Sequence, residues 1–247
     1  MSPPQRYQRR SYQSLMTRPG LVSFQVRVKE TDLYVQAERD LTGDAYQSVL
    51  DCRHQIESYI SSHPDFLASL VPVIDDPWAP GIVQEMIAAG SSAGVGPMAS
   101  VAGAIAERVG RELLSGGKTA EVVVENGGDV YIFVNSRAEV GIFAGRSPLS
   151  HKIGIAIPQG AMPLGVCTSS GTVGHSLSFG RADAVTVLAK STALADAAAT
   201  AVGNAVKSKK DIDRGLDLAG QIEGLRGAVI IVKDKIGAWG EIELITL

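Results

Sequence analysis

Cysteine is scarce in this chain. Of 247 residues only Cys52 and Cys167 are cysteines, far apart in sequence. Two thiols so placed exclude a disulfide scaffold and a cysteine-based zinc site, and they suit a reducing compartment. Aromatic residues make up 5% of the chain and charged residues 20%, with a net charge of -3. That balance excludes the broad basic face of a nucleic-acid binder. The short clusters Arg6, Arg9, Arg10 and Lys207, Lys209, Lys210 lack interleaved aromatics and read as solvated surface. No apolar run approaches the roughly 18 residues that span a bilayer. The first residues, Met1-Ser2-Pro3-Pro4-Gln5-Arg6, lack the apolar centre of a signal peptide. Together these absences point to a soluble, cytoplasmic protein with no membrane or nucleic-acid partner.

What is present is an ordinary globular composition, 45% hydrophobic, sufficient for a sizeable core. A polar segment, 1–20, precedes a single domain over 21–247. Alternating residues in 21–28 and 33–37 predict a strand hairpin. Near-helical spacing of Tyr46, Val49, Leu50, Ile56 and Ile60 predicts a helix over 43–61. The segment 72–80 reads as a proline-rich loop and 82–89 as a short helix. Met98, Val101, Ile105, Val109 and Leu113 form one apolar stripe, with Glu107, Arg108, Arg111 and Glu112 on the opposite, solvated side. Two apolar runs around Asn126-Gly127-Gly128-Asp129 predict a tight hairpin. Further strands are expected over 140–143, 153–157, 165–168 and 184–188, and helices over 192–206 and 211–219. The chain closes with a strand over 227–232, a turn over 233–237 and a last strand pair over 238–245. This order reads as an α+β fold of two similar halves, 21–136 and 137–247, each of antiparallel strand pairs with helices between them.

Chemistry concentrates in three stretches. In the helix over 192–206, Asp196 and Thr200 are four residues apart and so share a face. Alanines occupy most of the remaining surface, where a solvated helix would carry Lys and Glu, so the helix should be enclosed on both sides. A buried carboxylate needs a partner, and two hard oxygen donors one turn apart suit a divalent cation; a capping or merely solvated role is the competing reading. The loop Ser169-Ser170-Gly171-Thr172-Val173-Gly174 offers hydroxyls and backbone N–H groups to a phosphate. His175 follows it directly. The stretch Ser91-Ser92-Ala93-Gly94-Val95-Gly96-Pro97 feeds a helix N-terminus and offers a second phosphate seat through Ser92, Gly94 and Gly96. It is not a Walker loop, and close packing by its glycines is the alternative. At the hairpin tip, Asn126, Gly127 and Gly128 serve the turn, and Asp129 could contact a ligand. Cys167 is either a reactive thiol or a small buried hydrophobe.

Gly127-Gly128-Asp129, Ser170-Gly171 followed by His175, and Ala195-Asp196-Ala197-Ala198-Ala199-Thr200 together resemble the ApbE family over roughly residues 91–206. Its members are FAD:protein FMN transferases that move FMN from FAD to a protein Ser or Thr with Mg²⁺. The resemblance implies a duplicated antiparallel, T-fold-like architecture. It also implies Mg²⁺ held by Asp196 and Thr200 and an FAD-type, phosphorylated small molecule as ligand. Catalytic contacts would come from His175, Asp129 and Cys167, and ligand contacts from Asn126, Gly127, Gly128, Ser169, Ser170, Gly171 and Thr172. After the Ser-Gly loop the transferases carry a His-x-x-Asp-Pro-x-Thr-Gly stretch. Here His175-Ser176-Leu177-Ser178-Phe179-Gly180 keeps only the histidine. The chain is more similar to an ApbE-like branch with the Asn-Gly-Gly-Asp and Cys-Thr-Ser-Ser-Gly-Thr sequences. Three readings follow: a metal-assisted transferase or hydrolase, a non-catalytic flavin or metabolite binder, and a thiol-handling protein of sulfur assimilation. The sequence leaves the oligomeric state open, a homo-oligomer included.

Overall fold

A computed structural model of the protein describes residues 18–171 and 180–247. The strands β1 (Val22–Val28) and β2 (Thr31–Ala37) form the first hairpin. The helices α1 (Thr42–Ser62), α2 (Pro64–Ala68), α3 (Gly81–Ala93) and α4 (Val101–Leu114) come next. A second hairpin, β3 (Val122–Asn126) and β4 (Asp129–Phe133), closes this half. After β5 (Ala138–Gly141) and β6 (Ile153–Ile157), the same order returns. The antiparallel pair β7 (Leu164–Ser169) and β8 (Ala184–Ala189) leads to the helices α5 (Thr192–Ala205) and α6 (Ile212–Gln221). The strands β9 (Leu225–Val232), β10 (Lys235–Gly240) and β11 (Glu243–Thr246) end the chain. The fold is α+β, as the alternation of strand pairs and helices predicts.

Eight strands form one antiparallel sheet in the order β1-β2-β3-β4-β7-β8-β9-β10, and β11-β6-β5 form a second. The large sheet is covered on both faces. Val122, Val124, Cys167, Val185 and Val187 face the core shared with the helices. Their alternates Val123, Val130, Val166 and Leu188 face the core shared with the three-stranded sheet, where Ile155 and Ile157 meet them. Two-sided burial explains the continuous apolar runs of the central strands, since successive side chains point to opposite faces.

Helix α5 sits innermost, against β7, β8, α3 and α4. Its alanines at 193, 195, 197, 198 and 199 are all buried, and their small side chains permit the close approach. The enclosure expected of this helix is therefore what the structure shows.

Several local expectations are corrected. Tyr46 is exposed, and the buried face of α1 instead carries Ala45, Ser48, Val49, Cys52 and Ile56. Helix α2 occupies a segment given no element, and α3 runs on through Ser91 and Ser92 to Ala93. A 3₁₀ turn over Pro97–Ser100 precedes α4, which begins at Val101 rather than near Met98. The strand expected over 140–143 lies two residues earlier. At the C-terminus the turn shrinks to Lys233 and Asp234, and β10 and β11 join different sheets. Glu107, placed on the solvated side of α4, is buried. No helix among the described residues is long and apolar enough to cross a membrane.

Candidate functional site

The hairpin tip, the start of α4 and the middle of α5 converge on one point. At the tip, Gly127 and Gly128 both have positive φ, +73° and +109°. A two-residue hairpin loop of this twist requires that conformation. Asn126 and Asp129 are the closing pair. The Gly128 N–H donates to Glu125 Oε1 at 2.8 Å, and Asn126 Nδ2 donates to the Ala102 carbonyl at 3.1 Å. The tip is thereby fastened to the first turn of α4.

Asp196 is fastened to the same turn. Its Oδ2 accepts the Gly103 N–H at 2.9 Å, and the Ala102 N–H also supports the carboxylate. Amides in the first turn of a helix have no intrahelical acceptor, and a carboxylate there also complements the helix dipole. The arrangement is reciprocal. Glu107 of α4 accepts the Thr192 N–H, in the first turn of α5, at 2.6 Å. Gly103 makes the close approach feasible, because a Cβ there would lie 2.5 Å from the Thr192 carbonyl oxygen and 2.9 Å from Asp196 Cβ.

Asp129 stands opposite Cys167 in the β4–β7 register. The Cys167 thiol is wholly buried and donates to the Thr192 carbonyl at 3.4 Å. Burial, then the charges of Asp129 and Asp196, push this thiol well above its ordinary pKa. Burial likewise raises the Asp129 carboxyl well above the usual carboxylate range, and the charge of Asp196 adds to it. Cys167 and the Thr168 N–H act in the opposite direction by hydrogen bonding. Asp196 is half-buried, and desolvation pushes it up to about 7 against the opposing hydrogen bonds of Gly103 and Ala102. Two interacting carboxyls in one desolvated place do not both ionise readily. Both shifts therefore favour the protonated form of the pair.

Thr200 lies one turn beyond Asp196, half-buried, and its hydroxyl forms no hydrogen bond among the described residues. Ser169, half-buried, ends β7, and its Oγ lies 3.6 Å from where a Cβ on Gly203 of α5 would be. Ser170, also half-buried, follows it. The Gly171 N–H is already given to the Ala182 carbonyl at 2.9 Å, so it is no free donor to a phosphate. This glycine instead lets the Gly180 carbonyl approach, since a Cβ at position 171 would lie 2.4 Å from that oxygen. Thr172 and His175 lie outside the described residues.

The second expected phosphate seat is built differently. Ser92 is exposed on the last turn of α3, which Gly94 closes in the left-handed conformation with φ +71°. The Gly94 N–H is given to the Ser91 carbonyl. Gly96 is buried, and a Cβ on it would lie 1.8 Å from the Ser69 carbonyl oxygen. Gly96 thus serves close packing, whereas Gly94 serves the left-handed end of α3. The anion at the start of α4 is the protein's own Asp196.

The chemistry of this donor set fits a hard divalent cation. Asp196 keeps oxygen lone pairs that Gly103 does not use, and the Thr200 hydroxyl stands on the same helical face. No group of three His, Cys, Asp or Glu side chains among the described residues could enclose a metal. Mg²⁺ is commonly bound through one or two carboxylates, with water and ligand phosphates completing its shell. Sequence reasoning missed Glu107 and the fastening of Asn126; the signal available for Glu107 was only its position one helical turn beyond Gly103.

The family model described as AbpE bacteria matches residues 13–236. The chain is 42% identical over 221 residues to the UPF0280 protein of Methanocaldococcus jannaschii, covering 87% of this chain and 89% of that one. It is 40% identical over 227 residues to the UPF0280 protein of Methanococcus aeolicus, covering 90% and 91%. Among solved structures it is similar to a variant of the flavin transferase ApbE from Vibrio cholerae, with a TM-score of 0.56 and 12% identity over 89% of this chain and 96% of that one. The ApbE protein of Thermotoga maritima superposes with a TM-score of 0.54 at 14% identity, covering 90% and 97%. At such identities the likeness is one of fold.

Proposed function

The chain belongs to the AbpE bacteria family, and on that premise we propose that it binds a flavin-type nucleotide, FAD or a close relative, together with Mg²⁺ at the Asp196 end of α5. The observation that carries this reading is the Asp196–Thr200 pair. Its carboxyl is desolvated, raised to about 7 and held in place by the first turn of α4. A group so placed gains from a cation. Similar solved structures are named as flavin transferases, and their fold is the one this chain adopts.

In this reading Asp196 and Thr200 hold the metal, which when bound would neutralise charge on the ligand's phosphates. Ser169 and Ser170 position those phosphates with their hydroxyls. Asp129, kept protonated by burial and by Asp196, donates a hydrogen bond to the ligand at the hairpin tip rather than acting as a base. His175 is assigned to the reacting group by the motif alone. Cys167 fills space beneath Asp129 and fixes its carboxyl. No observation favours the thiol-handling reading, because this sulfur is buried, hydrogen-bonded and disfavoured as thiolate.

The test is a titration of the purified protein with FAD, with and without Mg²⁺, followed by flavin fluorescence and product analysis. Mg²⁺-dependent binding that Asp196→Ala abolishes supports the site. FMN or AMP among the products makes the protein an enzyme, and tight binding without turnover makes it a binder. FAD failing to bind under either condition overturns the flavin reading.

A further inference from the structure

A groove of about 700 Å³ opens beyond the C-terminal end of α5. Among the described residues five cations line it, Arg181, Lys207, Lys209, Lys210 and Lys233, against one carboxylate, Asp183. This is a local excess in a chain whose net charge is -3. The cations come from three separate segments that the fold brings together. The Arg181 N–H donates to the Val206 carbonyl at 2.8 Å, which ties the approach to β8 onto the end of α5. The Asp183 carboxylate accepts the Lys233 N–H at 2.6 Å and so fixes the β9–β10 turn at the groove's edge. The Lys207 N–H donates to Asp211 Oδ2 at 3.1 Å, which orients the lysine-rich segment.

Charge is not balanced within this set. Lys209 pairs with Asp234, and Asp183 is engaged by the backbone of Lys233. Among the described residues Arg181, Lys210 and Lys233 form no ion pair, and all three are exposed. Like charges gathered in a concavity repel one another and focus a positive potential that attracts anions. Among the described residues the lining contains no aromatic side chain on which a base could stack. Its volume lies in the roughly 300–1,000 Å³ range of small-molecule sites.

We propose that this groove binds a multiply charged phosphoanion carried by a small molecule, with Arg181, Lys210 and Lys233 as its charge partners. The groove adjoins the proposed ligand loop at Gly171, but its charged lining is distinct from Asp196. Asp196 and the end of α5 at Ala205 are nine residues apart, roughly 14 Å along the helix axis, and the groove needs no metal.

Inorganic pyrophosphate, titrated calorimetrically in the absence of divalent cations, tests the assignment. Wild-type protein should bind it saturably with one-to-one stoichiometry, and affinity should fall as salt is raised. Arg181→Gln and Lys233→Gln should each weaken binding about tenfold, the loss of one charge-assisted contact. The double variant should lose it by about a hundredfold. These side chains are exposed, and an unchanged melting temperature checks that the variants fold. Asp196→Asn should bind pyrophosphate like the wild type. Loss of binding in Asp196→Asn with the double variant unaffected would assign the anion to the other site and overturn the proposal. Absence of saturable binding overturns it too, and leaves the FAD titration unaffected.

Discussion

The Asp196 carboxylate and the Gly103 backbone N–H, 93 residues apart in the chain, meet at 2.9 Å. Through this contact α5 supplies the first turn of α4 with an acceptor that its own sequence does not provide, since Ser100 makes no side-chain cap there. The same Ser100 hydroxyl is turned to the Pro97 carbonyl at 2.7 Å. Glu107 and Thr192 make the return contact. One carboxylate therefore fixes the α4–α5 junction and, in the proposed reading, has a second purpose, presenting oxygen to a cation.

The two purposes separate in two variants. Asp196→Ala removes the acceptor and should cost about 1–2 kcal/mol of stability, the usual range for a lost cap or an unsatisfied amide. Asp196→Asn keeps a carbonyl oxygen for Gly103 and should stay within about 0.5 kcal/mol of the wild type. Both should lose Mg²⁺-dependent ligand binding. Urea denaturation beside the FAD titration reads both effects. An Asn variant that still binds with full Mg²⁺ dependence would remove Asp196 from the metal site.

Stability should depend on pH in an uncommon direction. Asp196 is raised from 3.8 to about 7 in the folded protein, and Asp129 is raised as well. Between these values the folded state holds protons that the unfolded chain has released, so raising pH favours unfolding. The contribution is fully present below about pH 4 and is lost as pH rises through about 7. Denaturant midpoints measured from about pH 5 to 8 should decline with pH, and Asp196→Asn should flatten the slope. Added Mg²⁺ should restore stability at the upper end, because it favours the ionised carboxylate. A midpoint that rises across this window in the absence of metal contradicts the assignment.

Neither thiol should react in the native protein. Burial pushes Cys52 up to about 11 and Cys167 well above its ordinary value, and both are free and buried. A thiol-titrating disulfide reagent at about pH 8 should find no fast-reacting group until denaturant is added, and then two. Cys167→Ala should retain ligand binding. Rapid modification of Cys167 in the folded state would reopen the thiol-handling reading.

Element types are local properties of this chain. Alternation placed β1 and β2, Asn126-Gly127-Gly128-Asp129 dictated its tight turn, and the alanine content of α5 announced an enclosed helix. In each case a residue's backbone preference or the spacing of apolar side chains is enough to decide the outcome. The Ala-Asp-x-x-x-Thr pattern marked the Asp196–Thr200 pair because helical spacing alone puts both on one face. Family membership was legible in the same motifs.

What those residues meet was settled by long-range packing. Nothing local tells Gly96 that the Ser69 carbonyl will press against it, or Gly103 that Thr192 will. Gly96 therefore reads equally well as part of a phosphate loop or as a packing site. Glu107 looked solvated because helical periodicity sorts side chains by one face, whereas α4 is met on a second side by α5. The basic groove was unreadable for a related reason. Arg181, Lys210 and Lys233 lie on three separate segments, each of which alone is ordinary solvated surface. The tertiary fold sums their charges in one place, and no property of a single segment encodes that sum.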